Sequence, residues 1–342
     1  MRRTLAFALA ALLAAGCSPI AVPQPDVADT HQPLVWPEAP EPPRIRFVRS
    51  LTRPEDLGIR RSVLQRLADL LFGASEVTLV RPMGVIAAGQ VVYVADPGAQ
   101  AVHRFDPGEG RHDLIRAADG SALTSPIGLA RDADGTVYVT DSARRTVYAI
   151  APGAKKATAV ALRAKLAQPT GIALDARSGR LFVVDTSAHH VKVFARDGRL
   201  LATFGRRGAG DGEFNYPTLI WRSSQGRLYV ADSLNFRVQI FDDDGNYVGK
   251  FGRPGDGTGD LARHKGVATD SYGHVYVVDA LLPALQVFRD DGRLLLSIGG
   301  IGRAPGEFWL PAGIFIGDEN TIYVADSYNR RVQIFRYVGG PT

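Results

Sequence analysis

One aspartate recurs along this chain at a nearly constant interval, and that interval restricts the fold more than any other feature. It closes a short apolar run at Asp96, Asp141, Asp185, Asp232, Asp279 and Asp326, with separations of 45, 44, 47, 47 and 47 residues. Six residues after each stands an aliphatic (Val102, Val147, Val191, Val238, Leu285, Val332), and three further on Phe105, Ile150, Phe194, Phe241, Phe288 or Phe335. Twelve to fourteen residues before each aspartate lies Gly84, Gly128, Gly171, Leu219, Gly266 or Gly313. Four positions held in phase through six turns mean one structural unit written six times.

Each unit divides into four short strands. In the fourth they are Leu219–Arg222, Leu228–Ala231, Arg237–Phe241 and Tyr247–Phe251, separated by "SSQG", "DSLN" and "DDDG". Four strands on tight turns make one twisted sheet, and a period in the mid-forties predicts an all-β chain folded as a six-bladed β-propeller. The stretches "DSYNRRVQIF", "GEFNYPT" and "PTGIALD" resemble the NHL repeat over residues 82 to 336, and that resemblance implies a propeller of the NHL type. The sixth unit ends without an outer strand. "RIRFVRSL", residues 44 to 51, alternates basic and apolar at strand period and is expected to supply it, closing the ring and removing an open edge. A short helical insertion is expected within residues 52 to 76, with Val63, Leu64, Leu67, Leu70 and Leu71 on one face. It either caps the propeller or meets a membrane surface or partner. The propeller proper then occupies residues 77 to 342.

The N-terminus reads as targeting. "MRRTLAFALAALLAAGC" has two arginines and an apolar run too short to span a bilayer as a helix, and its end resembles a bacterial lipobox, with Ala14 where leucine is usual. Residues 1 to 16 are the expected signal peptide and Cys17 the expected lipidated residue. Cys17 is the only cysteine, so no intrachain disulfide forms. Ser18 in place of a retention aspartate favours an outer-membrane lipoprotein facing the periplasm. Eight prolines between residues 18 and 43 make the stretch after Cys17 an extended tether, reaching about 80 Å at polyproline pitch. Of the formal charge of +5, Arg2 and Arg3 contribute two and leave with the signal. The remainder is too small and dispersed to predict nucleic-acid binding, and the signal directs the chain away from the cytoplasm.

Every blade carries the recurring aspartate, so its role belongs to every blade: a carboxylate accepting the N–H groups of a tight turn. Function is expected where the units disagree. The start of each first strand and the turn between second and third strands share one propeller face. Departures on it include Trp221 in the fourth unit's first strand, Phe236 in its turn, and His264 where proline is expected. The apolar turn Leu281–Leu282, and Tyr328 with Arg331 in the sixth unit, complete the set. These seven residues form the predicted binding patch, for an envelope protein or an amphipathic or anionic ligand.

No catalytic residue, cofactor or metal is assigned. NHL-type lyases would need zinc-binding histidines converging on the channel, and only His264 stands near a first-strand start. Lactonase-type propellers hold calcium with acid and amide side chains at the axis, where this chain has runs such as Val85-Ile86-Ala87. A metal-dependent lyase or lactonase-type enzyme remains the alternative to a binding module.

Overall fold

The computed structural model describes residues 33 to 60 and 78 to 340. Five four-stranded antiparallel blades and a closing sixth account for them. The first blade comprises Gly84–Ala88, Val91–Asp96, Ala101–Asp106 and Arg111–Ala117. The fourth comprises Pro217–Arg222, Leu228–Asp232, Arg237–Phe241 and Tyr247–Phe251. The sixth draws Ile314–Ile316, Thr321–Asp326 and Arg331–Tyr337 from the C-terminus. Its outer strand is Ile45–Leu51, antiparallel to Arg331–Tyr337 with Ile45 opposite Tyr337 and Leu51 opposite Val332. The ring is closed by the N-terminal segment, and Ile45 and Leu51 are fully buried in doing so.

Residues 34 to 43 depart from the expected tether. Val35–Trp36 adds a fifth strand on Ile45–Leu51, and the Trp36 ring lies edge-on to Phe335, centroids 5.9 Å apart. An indole that can cover a core phenylalanine is not left in water. A second departure joins two blades: Lys156–Ala159 pairs parallel with the outer strand of the first blade, Lys156 opposite Arg116. Most of the expected helical insertion, and Cys17 with its signal, lies outside the described residues.

The in-phase positions make the core. All six aliphatics, from Val102 to Val332, are fully buried, and the aromatic position three residues on is almost as deep. Phe241 meets Phe204 and Phe214 at 5.0 and 5.5 Å, so the outer strand and linker of the preceding blade pack into its own. The recurring glycine is explained at the axis. A Cβ on Gly84 would come within 2.1 Å of the Ile127 carbonyl oxygen, and one on Gly313 within 2.4 Å of that of Met83. First strands approach too closely there for a side chain.

The aspartates reach further than a turn. Asp279 accepts Leu281 and Leu282 N–H from its own turn and Ala262 and Arg263 N–H from the segment before the first strand. Asp96 does the same with Val80, Arg81 and Ala99. Each carboxylate therefore staples the incoming chain to the end of the second strand. All six are fully buried.

Candidate functional site

Two concave or exposed features stand apart from this repeated grammar. The first is the axial channel, a cavity of about 400 Å³ lined by the first strands. Most residues lining it are aliphatic or glycine, and the charged ones are Arg131, Arg222 and Asp318. Arg222 is committed to a bidentate pair with Asp243 at 2.6 and 2.7 Å. Trp221 lines the channel, donates Nε1–H to Thr269 Oγ1 at 2.9 Å and lies edge-on to Phe315 at 5.7 Å.

Register places Trp221 away from the expected face. Pro217, at the start of its strand, is opposite Asp232, whereas Trp221 is opposite Tyr229 beside the first hairpin turn. Four residues at strand rise carry it about 13 Å towards the other mouth of the channel. It cannot share a surface with the turns after the second strands.

Those turns form the second feature, and it holds some of the predicted residues and excludes others. Leu281 is 58% exposed and Tyr328 59% exposed. Leu282 and Phe236 are half-buried, Phe236 capping a short turn with left-handed backbone, φ 54°. His264 has no exposed surface, so it cannot touch a partner on this face. Its Nε2 lies 2.8 Å from the Arg237 carbonyl, which can only accept, so Nε2 carries the proton. Burial pushes the imidazole below its ordinary pKa, against the pull of the Asp279 carboxylate.

Arg331 is likewise withdrawn, at 8% exposure. Its Nε pairs with Asp326 at 2.8 Å, and its remaining nitrogens donate to the carbonyls of Arg303, Ala304 and Glu307. Arg237 makes the same set of bonds in the fourth blade, to Asp232, Ala209, Gly210 and Glu213. Both arginines clamp a glycine-rich linker that has no regular structure to satisfy its own carbonyls. Their departure from the repeat serves packing.

Other residues complete the exposed patch. Trp309 lies 4.9 Å from the Tyr328 ring and carries the Arg303 guanidinium over its face at 5.1 Å. Tyr328 N–H donates to the Trp309 carbonyl, fixing the turn to the linker. Leu310 and Ile301 are exposed on that linker, Ile301 at 75%. An aromatic ladder topped by arginine, flanked by exposed aliphatics, suits an apolar partner with a polar or anionic edge. The sequence signal for Trp309 was its place in the approach to the sixth blade; that Arg303 would stack on it was not readable there.

Among the described residues, no three His, Cys, Asp or Glu side chains come together to hold a metal ion. The buried histidines are engaged elsewhere: His103 Nδ1 lies 3.1 Å from His112 Nε2, and burial lowers the His103 pKa to about 4.

No curated protein matches the chain at a significant level. The SMP-30/gluconolactonase/LRE-like region matches residues 78–205, and a six-bladed β-propeller family matches residues 219–280 and 267–338. Among solved structures, a gluconolactonase from Xanthomonas campestris is 17% identical with TM-score 0.58, covering 87% of this chain and 98% of its own. Virginiamycin B lyase from Staphylococcus aureus is 14% identical with TM-score 0.56, covering 76% and 96%. An auxiliary nutrient binding protein from Bacteroides thetaiotaomicron is 13% identical with TM-score 0.60, covering 77% and 70%. Enzymes and a binding protein alike share this architecture at such identities, and what the likeness establishes is the fold: this chain is a six-bladed β-propeller.

Proposed function

We propose that this propeller is a lipid-anchored, extracytoplasmic binding module of the bacterial cell envelope, of the NHL type, that engages its partner through the turn face of its fifth and sixth blades. The observation that carries the reading is the exposure of Tyr328 beside the Trp309–Arg303 stack, with Leu281 exposed on the turn of the fifth blade. Exposed apolar and aromatic side chains gathered in one patch mark an interaction site. The partner is an envelope protein or an amphipathic ligand, and Cys17 is the anchor. A neighbour of the same fold is named as a nutrient-binding protein, which fits a role in capture.

A double change, Leu282→Asp with Tyr328→Ala, is expected to abolish capture from envelope extracts while the melting temperature stays within a few degrees. Ser187→Ala, on the equivalent turn of the third blade, is expected to change nothing. Equal capture by the double variant defeats the turn-face reading. Separately, Cys17→Ala is expected to move the protein from the membrane pellet to the soluble or unprocessed fraction. A correctly cleaved variant that still pellets removes the anchor from the proposal.

The match of residues 78–205 to the SMP-30/gluconolactonase/LRE-like region favours a second reading, a lactonase- or lyase-type enzyme acting in the channel. Stoichiometric zinc or calcium in protein purified without chelators would place that reading first. The side chains lining the channel supply no obvious ligand set for either ion.

A further inference from the structure

Between Ser142 and Leu174 the chain has no aspartate or glutamate and six cations: Arg144, Arg145, Lys155, Lys156, Arg163 and Lys165. The fold gathers three of them. Arg145, on the turn of the second blade, and Arg163 and Lys165, on the linker to the third, line one open cleft of about 440 Å³. All three are exposed. Arg144 neighbours Arg145 on the same turn and spends its Nε–H on the Thr124 hydroxyl.

Internal charge compensation in this cleft is slight. Two linker cations elsewhere have a carboxylate close by, Arg206 with Glu213 at 2.9 Å and Arg253 with Asp260 at 2.5 Å, whereas Arg207 and Arg303 have none among the described residues. Arg145 and Lys165 have no carboxylate or carbonyl partner among the described residues, and Arg163 reaches only Asp197 at 3.6 Å. Like charges crowded without counter-charge repel one another, and an external anion relieves that repulsion. The cleft is also poor in apolar reach: none of the large exposed hydrophobics falls between residues 142 and 174. With no exposed aromatic for bases to stack on, single-stranded nucleic acid is a poor fit.

We infer that the cleft formed by Arg145, Arg163 and Lys165 on the second blade is a binding site for a phosphoryl-bearing ligand, distinct from the turn face of the fifth and sixth blades. Two guanidinium forks and an ammonium line the one cleft, a donor set that suits a tetrahedral oxyanion with several charged oxygens. The phosphoryl group arrives either on a soluble ester or on a lipid headgroup, and the chemistry at the cleft is the same.

The test uses the full chain with Cys17→Ala, so that no lipid contributes, and inorganic tripolyphosphate as the probe. Calorimetry at low salt is expected to give a dissociation constant below about 1 mM that weakens as added salt screens the charges. Arg145→Asn with Lys165→Ala is expected to weaken binding at least tenfold; asparagine tolerates the left-handed backbone at position 145, φ 56°. Arg206→Ala with Arg253→Ala, which removes two paired cations, is expected to leave it unchanged. Sedimentation with phosphatidylcholine vesicles, with and without phosphatidylglycerol, separates the sources. Binding that requires phosphatidylglycerol and is lost in the Arg145/Lys165 variant assigns a headgroup; tripolyphosphate binding without it assigns a soluble ester. No measurable tripolyphosphate binding overturns the inference. So does binding that the Arg145/Lys165 variant retains, or tighter binding of a single-stranded oligonucleotide at the same residues.

Discussion

A chain lacking residues 34 to 51 is expected to lose its cooperative unfolding transition or to melt at least 15 °C lower than the intact protein. The segment supplies the whole outer strand of the sixth blade and the short strand beyond it. Its removal exposes Phe335, which Trp36 and Phe47 cover at 5.9 and 5.6 Å, and forfeits the burial of Ile45 and Leu51. Burial of each such aliphatic contributes about 1.5–3 kcal/mol, and each lost ladder hydrogen bond about 0.5–1.5 kcal/mol. Together these approach the total stability of an ordinary domain, about 5–15 kcal/mol. The ring also gains an open edge, which favours association. Thermal unfolding with light scattering checks both effects, and a truncated chain that melts with the intact one would show that closure does not hold the ring.

Loss of a staple aspartate is expected to be nearly as damaging, and unequal between blades. Asp232 accepts Asn215 N–H at 2.7 Å, Asn235 Nδ2 at 2.9 Å, Arg237 Nε at 2.8 Å and Gln239 Nε2 at 3.1 Å. Asp232→Ala leaves the Arg237 guanidinium buried without its counter-charge, a loss of about 3–5 kcal/mol. Among the described residues Asp141 accepts only backbone N–H groups, from Ser125, Ala143 and Arg144. Asp141→Ala is expected to cost about 1–3 kcal/mol, because its orphaned donors are neutral. Denaturant titration of the two variants tests the ranking. Equal losses would mean that Arg237 is held by its three linker carbonyls and not by the carboxylate.

How a departure from the repeat is to be interpreted is where the sequence and the structure part. His264 and Arg331 break the pattern as visibly as Leu281 and Tyr328 do, yet one pair is buried in linker packing and the other projects from the surface. A substitution announces that its blade is specialised; it does not say whether the specialisation faces inward or outward. Trp221 illustrates a different gap. Its unit and strand were legible, but its level along the channel depends on hairpin register.

By itself the sequence determined the repeat, the blade count, the buried phase of each strand and the strand that closes the ring. Those follow from local rules that every blade must obey: strand alternation, turn chemistry and a carboxylate for orphaned N–H groups. Only the tertiary structure decided which polar side chains are free. Arg237 and Arg331 spend their donors on carbonyls 24 to 28 residues away, whereas Arg145 and Lys165 come to rest where no carboxylate among the described residues reaches them. Coulomb and hydrogen-bond energies depend on separations of a few ångströms between residues distant in the chain, and those separations exist only once the blades have packed.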